Sequence, residues 1–207
     1  MGVLVMTEEL IARIQHRADQ PSTRTDHAEI SVPPRFAPVT AVELARAEQE
    51  LGFGLPPFLA QVYRRVGNGG FGPAYGLIGL PGGFAHDEGS SIVELYDSYH
   101  SHYPNAPDWQ WPERLVPICN WGCAIFSCVD CHTGSIITFD SGQQPEGEPM
   151  TLAFAKSHSD VAAWFDDWVS GICIWDKTYE HDPARDKEII NPFTRKPMVV
   201  RGKRFRR

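Results

Sequence analysis

The chain has 207 residues, 42% of them hydrophobic and 22% charged, with six Trp, eleven Phe and six Tyr. That is ordinary for a globular protein and enough for one domain with a full core plus tails. The formal net charge is −7, but residues 195 to 207 hold seven basic side chains and no acid. Without those seven, 12 basic residues face 26 acidic ones, a body charge of −14. Such a body repels nucleic-acid phosphates and attracts basic partners, which argues against direct nucleic-acid binding.

The apolar start Met1 to Met6 is short and is followed at once by Glu8 and Glu9, so it does not read as a secretory leader. Position 6 is Met6 rather than Ser or Thr, which speaks against myristoylation of Gly2. No apolar run approaches the roughly 18 residues of a membrane span. The cytoplasm is the expected location, where the five Cys are expected to be reduced thiols.

In chain order, residues 7 to 19 predict a helix carrying Leu10, Ile11 and Ile14. Residues 20 to 38 form a Pro/Ser/Thr-rich linker or extended arm. Thr40-Ala41-Val42-Glu43 is a capping box opening a second helix, with Leu44, Ala47 and Leu51 on one face and Gly52 at its end. Pro57 suits the first turn of a third helix with Phe58, Leu59, Val62, Tyr63 and Val66 as its apolar stripe. Gly67-Asn68-Gly69-Gly70 stops it. Tyr75 to Leu80 predicts a short strand. Ser91-Ile92-Val93-Glu94 is a second capping box. Residues 104 to 113 form a Pro/Trp loop.

Strands follow at Leu115–Cys119, Ala124–Asp130 and Ser135–Phe139. The last two form a hairpin whose turn hydrogen-bonds to Asp130. A further strand is expected over Pro149–Phe154, and then a helix capped by Ser159 with Val161, Trp164, Phe165 and Trp168 on its inner face. From Asp176 onward the polar, Pro-punctuated chain predicts a weakly packed tail. The fold class is α+β, a mainly antiparallel sheet flanked by helices in a single domain. The divisions are 1–37 (helix and linker), 38–175 (the α+β domain) and 176–207 (a polar tail with a basic end).

Four stretches in this order resemble the SUKH superfamily, the Smi/Knr cell-wall assembly regulator relatives. They are Glu48 and Leu51-Gly52 with Leu55-Pro56; Val66 to Gly72 leading into Tyr75-Gly76-Leu77; Leu115-Val116-Pro117-Ile118 with Trp121-Gly122-Cys123, Asp130 and Gly134; and the closing helix with Trp164, Phe165 and Trp168. The resemblance spans about residues 38 to 172. It implies a helix-flanked antiparallel sheet and a protein-binding role with no catalytic set. Bacterial members are commonly immunity proteins against toxins that are often nucleases, and fungal relatives regulate cell-wall assembly through protein contacts.

Most candidate chemistry is better read as structure. Cys119, Cys123, Cys128, Cys131 and His132 lack the two converging pairs of a zinc site, so no metal is assigned. Gly69-Gly70-Phe71-Gly72 follows a helix and opens a strand, the reverse of a phosphate cradle, so no cofactor is assigned. Adjacent Asp166 and Asp167 point about 100° apart on a helix and read as solvated charge. A partner-binding surface is expected from Asp108, Trp109 and Trp111 of the Pro/Trp loop, with Asp87, Glu88 and Trp121; the competing reading tucks both loop Trp rings into the core. The basic tail is expected to be mobile or folded onto the acidic body. Two functions compete: neutralisation of a basic toxin, and a regulatory interaction protein with no toxin partner. An uncharacterised enzyme is the weakest reading.

Overall fold

The computed structural model describes residues 2–34, 36–86, 89–101, 109–190 and 195–206. Both capping boxes form. The Thr40 hydroxyl accepts from Glu43 N at 3.2 Å while Thr40 N donates to the Glu43 carboxylate at 2.7 Å. Ser91 and Glu94 repeat the exchange. These open α2 (Ala41–Leu51) and α4 (Ile92–His100). Pro57 stands in the first turn of α3 (Pro57–Arg65). The first helix, α1, is longer than expected and runs Gly2–Asp19. It packs on α3 and on the closing helix α5 (Val161–Val169). Ile11 and Ile14 of α1 join one continuous apolar core with Leu59, Tyr63, Trp164 and Phe165.

The sheet is antiparallel in the order β1 (Leu115–Asn120), β2 (Ile125–Asp130), β3 (Ile136–Asp140) and β4 (Phe154–His158). β1 is buried along its whole length and β2 nearly so. α4 packs against β1. Pro117 cannot donate to a ladder, and the β1–β2 register shifts between Pro117 and Cys119. The Ile118 carbonyl is left to accept from Ile78 N at 2.8 Å, a position that suits proline in an edge strand.

Tyr75 to Leu80, expected as a strand, pairs with β1 too briefly to form one. The segment makes one bridge, Leu77 to Cys119. Tyr75 N also reaches Asn120 O of β1 at 3.4 Å, but the groups between are used locally: Gly70 N donates to Leu77 O, Leu77 N to Phe71 O, and Gly79 N to Phe84 O. The Asn68 side chain does what a neighbouring strand would do. Its carbonyl accepts from Leu80 N at 2.8 Å and its amide donates to Leu80 O at 3.3 Å. Gly69 sits at φ +83°, and a Cβ there would lie 2.5 Å from Leu77 O, so only glycine fits. Glu48 acts similarly by accepting from Leu55 N at 2.9 Å. The Asn-Gly-Gly and Leu-Gly…Leu-Pro motifs are thus backbone devices.

Three further expectations are corrected. Met150–Ala153 is a 3-10 turn and the strand begins only at Phe154. The cap of α5 is Asp160, which accepts from Ala163 N at 2.8 Å; Ser159 instead donates to that carboxylate. The tail also carries structure: α6 (Ile174–Thr178), β5 (Tyr179–His181), β6 (Lys187–Ile190), β7 (Pro197–Val200) and β8 (Lys203–Phe205). β5 pairs with β8, and β6 with β7. Tyr179 is 4% exposed, and burying that ring ties β5 and β8 to the body, while β6 and β7 are exposed throughout. No helix among the described residues is long and apolar enough to cross a membrane.

Candidate functional site: an aromatic cleft at one end of the sheet

The β1–β2 turn carries Trp121. Here Gly122, Cys123 and Ala124 all have positive φ, of +84°, +52° and +57°. Two non-glycine residues in the left-handed region store strain that the surrounding fold must hold. Trp121 is half-buried, donates its indole N–H to Ser127 Oγ at 2.8 Å, and lies 5.8 Å from the ring of Trp175 on α6. This pair lines two neighbouring clefts. One, of about 1220 Å³, runs past Asp140, Gln143 and Arg185 beneath the C-terminal strands. The other, of about 490 Å³, runs past Arg17, Asp26 and Trp168.

Asp140, at the end of β3, organises the larger cleft. It is 4% exposed, and its carboxylate accepts from Gly142 N at 2.9 Å, Gln143 Nε2 at 3.2 Å and the Tyr179 hydroxyl at 2.9 Å. Lys203 of β8 brings its ammonium to 3.1 Å from the same carboxylate. Burial pushes the Tyr179 phenol up, reinforced by the Asp140 charge. Burial pulls the Lys203 ammonium down, against the favourable pull of Asp140. In the smaller cleft the Arg17 guanidinium stands 4.4 Å over the Trp168 ring and 3.5 Å from Asp26. Burial raises the Asp26 carboxyl.

Of the expected partner-binding residues that the structure describes, Trp109 and Trp111 pack side by side and Trp121 lines the cleft. Trp111 is 6% exposed; its ring stacks on Tyr99 at 4.2 Å and meets Phe139 and Phe154 edge-on, while its N–H donates to Leu115 O. Trp109 is half-buried beside it and donates to Tyr99 O. Both rings are therefore engaged with the body of the domain. Trp121 alone stands at the cleft, and its ring partner among the described residues is Trp175. Asp87, Glu88 and Asp108 lie outside the described residues. The other cleft residues, Asp140, Trp175, Tyr179 and Lys203, escaped the sequence reading. The available signal was Trp175 and Tyr179, four apart across the boundary drawn between the domain and the polar tail.

Elsewhere the chemistry is structural. Cys119 and Cys128 are buried, and burial holds both thiols well above their ordinary range. Cys119 donates to Pro73 O at 3.2 Å. The Cys131 thiol is pushed up to about 12, mainly by burial. Among the described residues, no three His, Cys, Asp or Glu side chains converge as metal ligands. Asp130 binds its own turn, accepting from His132 N and the Thr133 hydroxyl.

Asp167 departs from the expected solvated charge. It is 8% exposed and links His158 Nε2 at 2.9 Å to Lys177 Nζ at 2.5 Å, because α5 turns this residue toward β4 and α6. Asp166, one position away, faces outward and pairs with Arg13 at 2.6 Å. Burial lowers the His158 pKa below its ordinary value, although Asp167 pulls the other way. The folded state therefore favours neutral His158, and the unfolded chain takes up a proton first as the pH falls. Stability contributed here is present above about pH 6.5 and is lost as the pH falls below it toward the folded value. A His158→Gln variant should show a smaller drop in urea midpoint between pH 7 and pH 5 than the parent. An equal drop in both would rule out this histidine as the source.

The geometry defines a class: a helix-flanked antiparallel α+β domain that closes on itself around one core and presents an aromatic, charged cleft. A family model described as SMI1 / KNR4 family (SUKH-1) matches residues 38–171. The chain belongs to that family, whose members are generally non-catalytic. No individual curated protein matches it.

Proposed function

We propose that this chain is a cytoplasmic protein-binding module that neutralises a basic bacterial toxin domain, such as a nuclease, by direct binding. The observation that carries this reading is the acidic surplus of the body: 26 acidic against 12 basic residues outside the last thirteen positions. The tail offsets only part of it, through Lys203 on Asp140 and Arg204 on Glu180. A surface of one sign steers an oppositely charged partner and raises its association rate, an effect that salt screens within about 8–10 Å. The reading requires no reaction, cofactor, metal, membrane or nucleic acid.

Co-expression with a toxin domain encoded beside this gene tests it. Rescue of growth is expected, together with nanomolar binding whose association rate falls at least tenfold between about 50 and 500 mM salt. Failure of both rescue and binding with such a neighbour would refute the proposal.

A further inference from the structure

The ammonium of Lys203 sits 3.9 Å from the ring centroid of Trp175 and 4.1 Å from that of Tyr179, with the Asp140 carboxylate at 3.1 Å. Two aromatic faces and a carboxylate around one cation make up the chemistry of an alkylammonium receptor. All three walls belong to other elements: Asp140 to β3, Trp175 to α6 and Tyr179 to β5. Lys203 is the occupant of this cage and no part of its walls.

The occupant is held by charge and ring contacts more than by aligned hydrogen bonds. Its Nζ is occluded from solvent yet makes no aligned hydrogen bond among the described residues, because the Asp140 carboxylate already accepts from Gly142, Gln143 and Tyr179. The strand that carries it is three residues long; its only strand partner is the three-residue β5, and side chains of Gln143 and Arg185 donate to the Lys203 carbonyl. The cleft runs on past the cage toward Trp121 and Cys123, which leaves room for a longer chain than β8.

We infer that this cage is a binding site for a lysine side chain on a basic, extended segment of the partner protein, and that Lys203 is a built-in competitor that fills the cage until the partner displaces β8. The partner strand pairs with β5 in place of β8, by strand addition to the edge that β8 vacates. This deepens the function proposed above and rests on its basic partner; the cage itself does not.

The cage is tested on the full-length chain by following tryptophan emission during titration with n-butylammonium chloride. The controls are 1-butanol and sodium chloride at matched concentrations. Lys203→Ala should respond saturably to n-butylammonium, with a half-saturation at least tenfold below that for 1-butanol. The parent chain, already occupied, should not respond over the same range. Lys203→Ala combined with Trp175→Leu should not respond either; Trp175 is half-buried outside the main core, so the double variant keeps its fold. Lys203→Gln gives the same readout if the alanine variant melts early. No saturable response in either Lys203 variant, or an equal response in the parent, would overturn the cage.

The partner step is read separately. Against the neighbouring toxin domain, Trp175→Leu should weaken binding at least tenfold and Lys203→Ala should tighten it severalfold. Tight toxin binding indifferent to both variants sinks this inference and leaves the proposed function standing. A cage that fills with n-butylammonium in a chain that binds no basic protein supports the cage and sinks the function.

Discussion

Trp164→Ala should destabilise the domain by about 3–5 kcal/mol, the range for truncating a fully buried Trp. Trp164 is 0% exposed and its ring meets Phe165 edge-on at 4.9 Å, in the layer where α5 packs against α1 and α3. Such a loss is a large fraction of the roughly 5–15 kcal/mol that holds a typical domain together. Trp164→Phe should cost much less, about 1–2 kcal/mol. The indole N–H has no acceptor among the described residues, so the phenyl ring sacrifices volume and no hydrogen bond. Urea unfolding of the two variants checks the pair. A phenylalanine variant as unstable as the alanine one would show that the indole N–H has a partner that matters.

Asp140→Ala should cost about 3–5 kcal/mol, because it removes one member of a buried charged group and leaves the others unsatisfied. Tyr179 OH, Gln143 Nε2 and the Lys203 ammonium all converge on this carboxylate. The loss should be concentrated at the C-terminal end. β8 should come free of β5, and limited proteolysis should cut after Lys203 or Arg204 at least tenfold faster than in the parent, while the Trp164 layer remains protected. Asp140→Asn, which keeps an acceptor and removes the charge, should lie between the two. Equal cleavage of parent and Asp140→Ala would show that the tail is held by other contacts. The double variant with Lys203→Ala should recover part of the loss, since it removes the orphaned cation.

The elements that could be read in advance are those whose hydrogen bonds close within a few residues. Thr40 with Glu43, Ser91 with Glu94, Pro57 in a first turn, and Asp130 with its own hairpin needed nothing from elsewhere in the chain. The misplaced elements depended on distant partners. Tyr75 to Leu80 has the composition of a strand, but Asn68 and Ile118 take its backbone groups one at a time. Asp167 has the composition of a surface residue, but β4 and α6 supply His158 and Lys177. The tail looked polar because its apolar anchors, Tyr179 and Phe205, lie far apart in sequence and stack at 5.2 Å only once β5 and β8 pair. The site shows the same division. Trp121 could be singled out as a Trp in a glycine turn, whereas its neighbours Trp175, Asp140 and Lys203 come from three separate stretches.

The amino-acid order by itself determined the helices with their caps, the antiparallel hairpin, the acidic body with its basic end, and the family, since each rests on short-range backbone geometry, apolar spacing or composition. Only the tertiary structure decided which carboxylates are buried, which Trp rings belong to the core, and that a lysine from the last strand closes over Trp175 and Tyr179. Those outcomes depend on desolvation and on contacts between residues remote in the chain, and neither acts until the domain has folded.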